Sequence, residues 1–473
     1  MKEIGVQLAI LGGGPAGYVA AIRAAQLGVA VALIEERDLG GTCLNRGCIP
    51  TKALLKTSEM AYLIRKSKEL GIAATLDDVD WNLAVARKDR VVKNLRMGLE
   101  HLMKLNGISL VQGRGRIESR NRILVATSDE DTAVNCEKLI ITTGSEPLLP
   151  EIEGIHLDGV ITSDEALELQ EIPDRLVIIG AGAIGLEFAT MFNSAGSHVT
   201  VVEIQEGILP QLDREIADEL LKVMKRQGIK FRLGSRVEKI AEGGGELVVV
   251  IDEKGAATTV KATTVLVAVG RRLRSFSEDI LALGLRLDRG RIVVDELMET
   301  SIEGIYAAGD VIGGSLLAHL AFAEGRTAAQ NALGYRSRLN YEAVPSCVYT
   351  NPEVASVGLN EEIAKERGIE VGAGRFYFRS NGRALCKGAR DGLVKVVTDK
   401  KTGIVLGAQI LGDSAAEMIS EVTLAITLRA RAEVLADMIH PHPTLSEAIM
   451  EACGDAVGRA IHSNRVGDRR SQG

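Results

Sequence analysis

Two cysteines separated by four residues, Cys43 and Cys48, are the strongest chemical signal in the sequence. They lie in Gly-Gly-Thr-Cys-Leu-Asn-Arg-Gly-Cys-Ile-Pro-Thr-Lys, shortly after a glycine-rich turn of the dinucleotide-binding type. A regular helix would hold their Cα atoms roughly 8 to 9 Å apart, beyond the limit of ~7 Å for a disulfide. The backbone must therefore tighten between them, at Asn45 and Gly47. We interpret the pair as redox-active. A structural disulfide and a zinc site are the alternatives, although no second pair of zinc ligands accompanies them.

Two charged residues are candidates for tuning this pair. Pro50 ends the tight region, and residues 51–62 are predicted to form a helix in which Lys52 shares the face of Cys48. An ammonium there would stabilise a Cys48 thiolate. Glu187 is an acid at the start of an otherwise apolar helix, where it either complements the helix dipole or pairs with Lys52. The alternative for Lys52 is a solvated surface lysine.

A candidate base lies near the C-terminus, where two of the seven histidines stand together as His440 and His442. Imidazole is the side chain best suited to deprotonate a thiol near neutral pH. Glu447 either holds His442 in the required tautomer or completes a capping box with Thr444 at the start of the last helix. We interpret His440 as structural.

The elements that position these residues include one unit used twice. Each copy is an apolar strand, a G-x-G-x-x-G turn, a helix of small residues and a second strand that ends at an acid, and every landmark recurs after 168 residues. The glycines and the acids are Gly12, Gly14, Gly17 and Glu35 in the first copy and Gly180, Gly182, Gly185 and Glu203 in the second. One such turn is weak evidence, but the complete context predicts two dinucleotide sites. No Arg or Lys directly follows Glu203 to bind a 2′-phosphate, so the second site favours NAD.

A third element extends the first dinucleotide site. A strand delivers Asp310 to a glycine-containing turn, and a small-residue helix is predicted from Leu320 to Leu333. This element resembles the flavin-ribityl contact of flavoproteins that bind two dinucleotides. The resemblance implies that Asp310 holds ribityl hydroxyls and that the helix N-terminus faces the flavin; the alternative is that Asp310 is a turn residue. These landmarks predict an α/β fold with two Rossmann-like domains, for FAD and NAD, and a C-terminal α+β domain without a nucleotide signature. The predicted ranges are 1–147 with 271–343 for the FAD-binding and central part, 148–270 for NAD, and 344–473 for the C-terminal domain.

Composition excludes several other classes. The chain has 473 residues, a net charge of −7 and 46% hydrophobic residues, which is typical of a multidomain globular protein and disfavours nucleic acid as a partner. No apolar run approaches the ~18 residues of a membrane helix, and the sequence passes from Met1 directly into a strand-like run. We therefore expect a cytoplasmic protein without a membrane partner. The other cysteines, Cys136, Cys347, Cys386 and Cys453, are predicted to be ordinary and mostly buried thiols.

The cysteine segment, with His-Pro-Thr-Leu-Ser-Glu at residues 442–447, resembles class I pyridine nucleotide–disulfide oxidoreductases over almost the whole chain. Within that family it is most similar to the members that oxidise dihydrolipoamide with NAD. The tail, residues 463–473, holds no cysteine, unlike mercuric reductases and large thioredoxin reductases. One departure is Arg271-Arg272-Leu273-Arg274 after Gly270, where the family usually has Pro-Asn.

The resemblance implies a role for each matching residue. Cys43 would meet the substrate, Cys48 would contact the flavin, and Lys52 and Glu187 would form an ion pair near the flavin. His442 with Glu447 would serve the partner subunit of a homodimer, so that residues 344–473 would be a dimerisation domain. The residues expected to hold FAD also include Thr42, Gly115, Thr143, Gly144 and Ala318 beside Glu35 and Asp310. Those expected to hold NAD include Val237 and Gly270 beside Glu203.

The implied reaction transfers electrons from dihydrolipoamide through Cys43 and Cys48 to FAD and then to NAD. The implied partners are lipoyl-bearing proteins of 2-oxo acid dehydrogenase or glycine cleavage complexes. Another small disulfide as the substrate is one alternative. A non-catalytic FAD-bearing scaffold is the other, and the presence of both cysteines and His442 disfavours it.

Overall fold

The computed structural model describes residues 1–275 and 278–462. The cysteine-free tail, residues 463–473, lies outside the described residues. The described chain forms two compact units, one made of residues 1–150, 161–172 and 269–339 and the other of residues 151–160, 173–268 and 340–462. None of the described helices is long and apolar enough to cross a membrane.

The first 150 residues supply most of the first unit. Their strands and helices are β1 (Lys2–Leu11), α1 (Pro15–Gln26), β2 (Val31–Glu35), α2 (Gly41–Arg46), α3 (Cys48–Lys66), α4 (Trp81–Leu105), β3 (Ser109–Gln112), β4 (Arg114–Ser119), β5 (Arg122–Ala126), β6 (Thr132–Ile141) and β7 (Ser145–Pro147). The sheet has the order β3-β2-β1-β6-β5-β4, with parallel pairing from β3 to β6. The ends of β1 and β2 are continuous apolar runs because both faces of a parallel sheet are buried.

The next stretch begins with two short elements and then repeats this arrangement. Its elements are β8 (Val160–Ile161), α5 (Ser163–Ala166), β9 (Arg175–Ile179), α6 (Ala183–Ala195), β10 (His198–Glu203), α7 (Arg214–Arg226), β11 (Lys230–Leu233), β12 (Ser235–Gly243), β13 (Glu246–Glu253), β14 (Ala256–Ala262) and β15 (Thr264–Val267). The parallel order β11-β10-β9-β15 matches β3-β2-β1-β6 strand for strand. The repeat seen in the sequence is therefore a repeat of topology. Strands β12 to β14 form a separate antiparallel sheet.

Residues 269–339 return to the first unit. Their elements are β16 (Arg271–Leu273), α8 (Glu278–Ala282), β17 (Leu287–Asp288), β18 (Arg291–Ile292), β19 (Ile305–Ala307) and α9 (Ala318–Ala332). Strand β19 adds to the first sheet beside β6, and α9 packs on α1. A Cβ on Gly325 of α9 would lie 2.1 Å from the backbone oxygen of Ala16, so this packing requires glycine. Helix α9 begins at Ala318, two residues before the predicted start.

The C-terminal part of the second unit is an α+β structure, which confirms the predicted class. Its elements are β20 (Ser346–Val348), β21 (Glu353–Gly358), α10 (Glu361–Glu366), β22 (Val371–Tyr377), α11 (Gly382–Cys386), β23 (Leu393–Asp399), β24 (Val405–Gly412), α12 (Ala415–Thr427), α13 (Ala432–Asp437) and α14 (Glu447–Ala456). The antiparallel sheet has the order β20-β21-β24-β23-β22, and α12 and α14 cover it. Cys136 and Cys453 are buried as predicted, but the prediction is wrong for Cys386, which is exposed at the end of α11.

Candidate active site

The redox segment is a helix that is interrupted between the two cysteines. Helix α2 ends at Arg46, Gly47 adopts φ −145° and ψ −110°, and α3 begins at Cys48. The tightening expected from the spacing is therefore a break at Gly47, where a Cβ would lie 3.0 Å from the backbone oxygen of Thr42. Helix α3 begins three residues earlier than predicted. Pro50 lies in its first turn, where a missing N–H costs no helical hydrogen bond.

The two cysteines are free thiols in this structure, and their side chains are hydrogen-bonded to each other. That hydrogen bond, followed by burial, raises the pKa of the Cys43 thiol, while the ammonium of Lys52 acts in the opposite direction. Lys52 lies in α3, one helical turn after Cys48, as the spacing predicted. The segment therefore holds two sulfur atoms and one cation together, an arrangement suited to reversible dithiol–disulfide chemistry.

The first glycine turn fits a dinucleotide. Gly12 has φ +109°, and a Cβ on Gly17 would lie 1.8 Å from the backbone oxygen of Gly12, so both positions require glycine. Gly14 caps α1 without a side-chain hydrogen bond, which leaves the helix N-terminal amides available to a phosphate. The Glu35 carboxylate accepts hydrogen bonds from the backbone N–H groups of Gly13 (2.6 Å) and Arg37 (2.7 Å), which fixes it at the turn.

The second turn repeats this geometry. Gly180 has φ +108°, and a Cβ on Gly185 would lie 2.1 Å from the Gly180 oxygen, whereas a Cβ on Gly182 would contact nothing within 4 Å. The Glu203 carboxylate accepts hydrogen bonds from the backbone N–H groups of Ala181 (2.7 Å) and Gln205 (2.8 Å). Each carboxylate keeps further acceptor capacity for ribose hydroxyls. Both turns therefore fit the predicted cofactors.

Asp310 is held in place by contacts to neighbouring side chains. It follows β19, and its carboxylate accepts a hydrogen bond from the Ser145 hydroxyl, with Arg271 Nε 3.9 Å away. Arg271 also donates to the Ser145 hydroxyl (2.7 Å) and backbone oxygen (2.8 Å). The atypical segment after Gly270 is thus strand β16, which pairs with β7 and places an arginine beside Asp310. Thr143 donates its hydroxyl proton to the backbone oxygen of Arg274 (2.8 Å).

The other predicted cofactor contacts have varied surroundings. Gly144 is in the left-handed region, and a Cβ on Gly115 would lie 2.6 Å from the Leu11 side chain, so Gly115 is required for packing. Ala318 is the first residue of α9. The Val237 side chain belongs to a buried cluster with β13 and β15, so only its backbone could contact NAD. No described contact tests these assignments, and they stay predictions.

The candidate base is the exposed His442, whose side chain is 79% accessible. Its Nδ1 lies 2.8 Å from Glu447 Oε1, while Glu447 Oε2 accepts a hydrogen bond from the Thr444 backbone N–H (2.8 Å). The two roles considered for Glu447 therefore coexist on separate oxygens. The capping box is only half formed, because α14 begins at Glu447 and the Thr444 hydroxyl donates to Pro441.

The hydrogen bonds to Glu447 have an electrostatic consequence. Burial would raise its pKa, but the bonds from Thr444 and His442 outweigh burial and lower it. Glu447 is therefore ionised at neutral pH and favours the His442 tautomer that carries its proton on Nδ1. In that tautomer Nε2 is a free acceptor. His440 differs, since its side chain is 2% accessible and lies 2.9 Å from Glu421, which supports the structural interpretation.

Glu187 is a buried residue of α6, and its carboxylate accepts a hydrogen bond from the backbone N–H of Tyr349 (3.0 Å). This bond anchors α6 to the strand region that follows β20. Glu187 and Lys52 belong to different compact units, and their predicted pairing stays a prediction.

Sequence reasoning missed Tyr18 of α1. Burial, followed by the charge of Cys43, raises the pKa of its phenol to about 12. Its ring packs on Phe322 at 5.8 Å. The two helix starts meet closely, because a Cβ on Gly41 would lie 2.6 Å from the Gly14 Cα. Only that long-range packing brings Tyr18 near Cys43, and no local pattern predicts it.

Comparison with known proteins places this arrangement in a family. The profile of the pyridine nucleotide-disulphide oxidoreductases matches residues 6–325, and that of their dimerisation domain matches residues 344–453. The chain belongs to the pyridine nucleotide-disulphide oxidoreductase family. Its cofactors are FAD and NAD, which confirms the predicted pair of cofactors.

Individual relatives cover nearly the whole chain. It is 41% identical to a dihydrolipoyl dehydrogenase from Halobacterium salinarum, over 97% of this chain and 98% of the relative. It is 40% identical to a dihydrolipoyl dehydrogenase from Bacillus subtilis, over 96% of this chain and 98% of the relative. A solved structure of the HOCl-induced flavoprotein disulfide reductase RclA from Escherichia coli, a Cu(II) complex, superposes with a TM-score of 0.86 at 30% identity. It covers 95% of this chain and 99% of the other.

Proposed function

We propose that the chain is a dihydrolipoyl dehydrogenase, which oxidises dihydrolipoamide carried by lipoyl-bearing proteins and reduces NAD to NADH. The observation that carries the proposal is identity of about 40% to dihydrolipoyl dehydrogenases of an archaeon and a bacterium over nearly their full lengths. The adjacent thiols of Cys43 and Cys48, with Lys52 in the same segment, support it.

The chain's own residues carry out the thiol chemistry. The free Nε2 of His442 accepts a proton from dihydrolipoamide, while Glu447 stabilises the resulting imidazolium. The substrate thiolate attacks the sulfur of Cys43 in the disulfide form, and Cys48 leaves as a thiolate. The second substrate thiol displaces Cys43, so that lipoamide is released and both enzyme sulfurs are reduced. FAD and NAD supply the two-electron chemistry that restores the disulfide.

We assign the cofactor contacts as follows. The first glycine turn with Glu35 and Asp310 holds FAD, and the second turn with Glu203 holds NAD. Lys52 favours the Cys48 thiolate, and Glu187 orients Lys52. The remaining contacts are those expected from the family pattern, namely Thr42, Gly115, Thr143, Gly144 and Ala318 for FAD and Val237 and Gly270 for NAD. The domain ranges predicted from the sequence remain part of this proposal.

Steady-state assays on the purified FAD-loaded protein test the substrate. We expect NAD-dependent oxidation of dihydrolipoamide. Turnover of glutathione disulfide with NADPH should be slower by at least about a hundredfold, because a site shaped for one disulfide discriminates through differential transition-state binding. Faster turnover of glutathione disulfide than of lipoamide would reject the proposal in favour of a different small-disulfide substrate.

We further propose a homodimer in which His442 of one subunit serves Cys43 of the other. The match of residues 344–453 to a dimerisation domain and the high exposure of His442 support this arrangement. We also propose a cytoplasmic location and, as partners, lipoyl-bearing proteins of 2-oxo acid dehydrogenase or glycine cleavage complexes.

Co-expression of Cys43→Ser and His442→Gln chains tests the sharing of the site. If the site is shared, a heterodimer has one site with both native residues, and random assembly gives about a quarter of the wild-type activity. If each subunit uses its own residues, every site carries a defect and activity stays near that of the single variants. Each variant expressed alone is the control.

A further inference from the structure

The redox helix α2 cannot be stable by itself. It spans six residues, all of them only partly buried, and isolated helices of this length do not form in water. Contacts to the surrounding unit must therefore hold it, and with it the sulfur of Cys43. The two residues before Gly47, Asn45 and Arg46, make those contacts.

Asn45 fixes the helix to the turn that precedes it. Its side-chain amide donates to the backbone oxygens of Leu39 (3.1 Å) and Gly41 (3.0 Å), and it lies 3.4 Å from that of Asp38. The Gly41 backbone N–H also donates to the Asp38 oxygen (3.2 Å). The N-terminal end of α2 is therefore built on the segment 38–41.

Arg46 fixes the C-terminal end of the helix through charge. Its Nη1 lies 3.9 Å from Asp38 Oδ2, and its Nε lies 3.7 Å from Asp164 Oδ2. Asp38 is itself bonded to Arg96 of α4, and Asp164 belongs to α5. The other oxygen of Asp164 is buried and has no hydrogen-bond partner among the described residues. The Arg46 guanidinium thus joins α2 directly to α5 and, through Asp38, to α4.

We propose that Arg46 is a positioning residue for the redox pair, which fixes α2 in the geometry of the dithiol and thereby makes the Cys43–Cys48 disulfide easier to reduce. This inference rests on the proposed function. The ion pairs hold the helix in the arrangement in which the two thiols are hydrogen-bonded, so their loss penalises the dithiol. Arg46 also follows Cys43 by one helical turn in α2, and a cation on that turn favours a thiolate over a disulfide.

Equilibration with glutathione tests the proposal without turnover. FAD-loaded protein is incubated anaerobically in buffers of varied glutathione and glutathione disulfide, then alkylated, and the modification of Cys43 and Cys48 is counted by mass spectrometry. Each reduction consumes two glutathione molecules and releases one glutathione disulfide, so two electrons and two protons pass to the protein. We expect Arg46→Met to lower the equilibrium constant for reduction about threefold to tenfold, which corresponds to about 14 to 30 mV.

Three further variants make the result decisive. Asp164→Asn removes one carboxylate partner, so we expect a smaller shift in the same direction, and it serves as the test if Arg46→Met does not fold. Arg46→Lys keeps the cation and should recover at least half of the shift. Arg226→Met is the control: it removes an exposed ion pair between Arg226 and Asp391, both in the second unit, and should leave the equilibrium constant for reduction unchanged.

The outcomes separate this inference from the proposed function. If the wild-type protein shows no reversible Cys43–Cys48 disulfide, the proposed function fails. If the wild-type disulfide titrates but Arg46→Met and Asp164→Asn leave its equilibrium unchanged within twofold, or make reduction easier, only the role of Arg46 is overturned.

Discussion

Glu447→Gln is the substitution that most sharply tests the chemistry assigned to the C-terminal base. In the structure each carboxylate oxygen of Glu447 accepts one hydrogen bond, from His442 Nδ1 and from the Thr444 backbone N–H. Glutamine keeps one acceptor and replaces the other by an NH₂ donor. If the donor faces His442, Nδ1 must become the acceptor and the ring proton moves to Nε2, which can then no longer accept a proton from the substrate.

The opposite orientation of the glutamine is also unfavourable. The NH₂ group would then face the Thr444 N–H, which would lose its acceptor. A hydrogen bond to a charged group contributes about 1.5–3 kcal/mol, and 1.4 kcal/mol corresponds to a factor of ten in rate. We therefore expect kcat/KM for dihydrolipoamide to fall about 10- to 100-fold. His442→Gln removes the base itself and should cost about 10²–10⁴-fold.

The assay is NAD reduction at saturating NAD with varied dihydrolipoamide. Thermal unfolding of each variant, with FAD bound, checks that α14 is intact. The chain offers a matched control, because His462 Nδ1 lies 2.7 Å from Glu451 in the same kind of pair without an assigned role. His462→Gln should stay within twofold of the wild type. A Glu447→Gln variant that retains kcat/KM within twofold would refute the orienting role.

Two further predictions concern the cofactor turn and the stability of the second unit. Gly185→Ala places a methyl group 2.1 Å from the Gly180 oxygen, so the turn must move. The affinity for NAD, measured by fluorescence titration, should fall about tenfold or more, while the FAD absorption spectrum stays unchanged. An unaltered NAD affinity would contradict the close approach of Gly185 to Gly180. Lys395→Met removes the 4%-accessible cation that pairs with the buried Asp213 and with the partly exposed Glu215 and Glu361. It should lower the free energy of unfolding in urea by about 3–5 kcal/mol, because the Asp213 carboxylate is left buried without its cation. Burial alone would raise the pKa of Glu215 and Glu361, but the neighbouring cations outweigh burial and lower it from its ordinary value of 4.5. The ion pairs therefore stabilise the fold above that pH, and this stabilisation is lost as the pH falls. The difference in unfolding free energy between variant and wild type should narrow in acid, and a difference that stays constant would argue against the ion pairs.

Much of the fold could be predicted because it follows from short-range patterns. The repeated turn predicts two parallel sheets of the same strand order, since glycine requirements and the final acid of the unit are local. The same applies to the break at Gly47, which follows from the reach of a disulfide across a helix. Helix starts were less accurate. Helix α3 begins at Cys48 because Pro50 is compatible with a first turn.

The site was predictable in its residues but not in its supports. Spacing identifies Cys43 and Cys48, yet Arg46 is held by Asp38 and Asp164, and the latter is 118 residues away in sequence. The prediction that Glu447 has only one of its two roles, orienting His442 or capping the last helix, was wrong for a similar reason. A sequence pattern does not specify which carboxylate oxygen accepts which bond, and the structure uses both.

Trapping the thiols of the FAD-loaded protein tests the central claim most directly. The oxidised protein is alkylated anaerobically under denaturing conditions before and after one equivalent of dihydrolipoamide, without NAD, and labelled cysteines are located by mass spectrometry. We expect Cys43 and Cys48 to be protected beforehand as one disulfide-linked peptide and labelled afterwards, with one lipoamide formed per site. Labelling of both cysteines before the reductant is added, or their continued protection after it, would contradict the account.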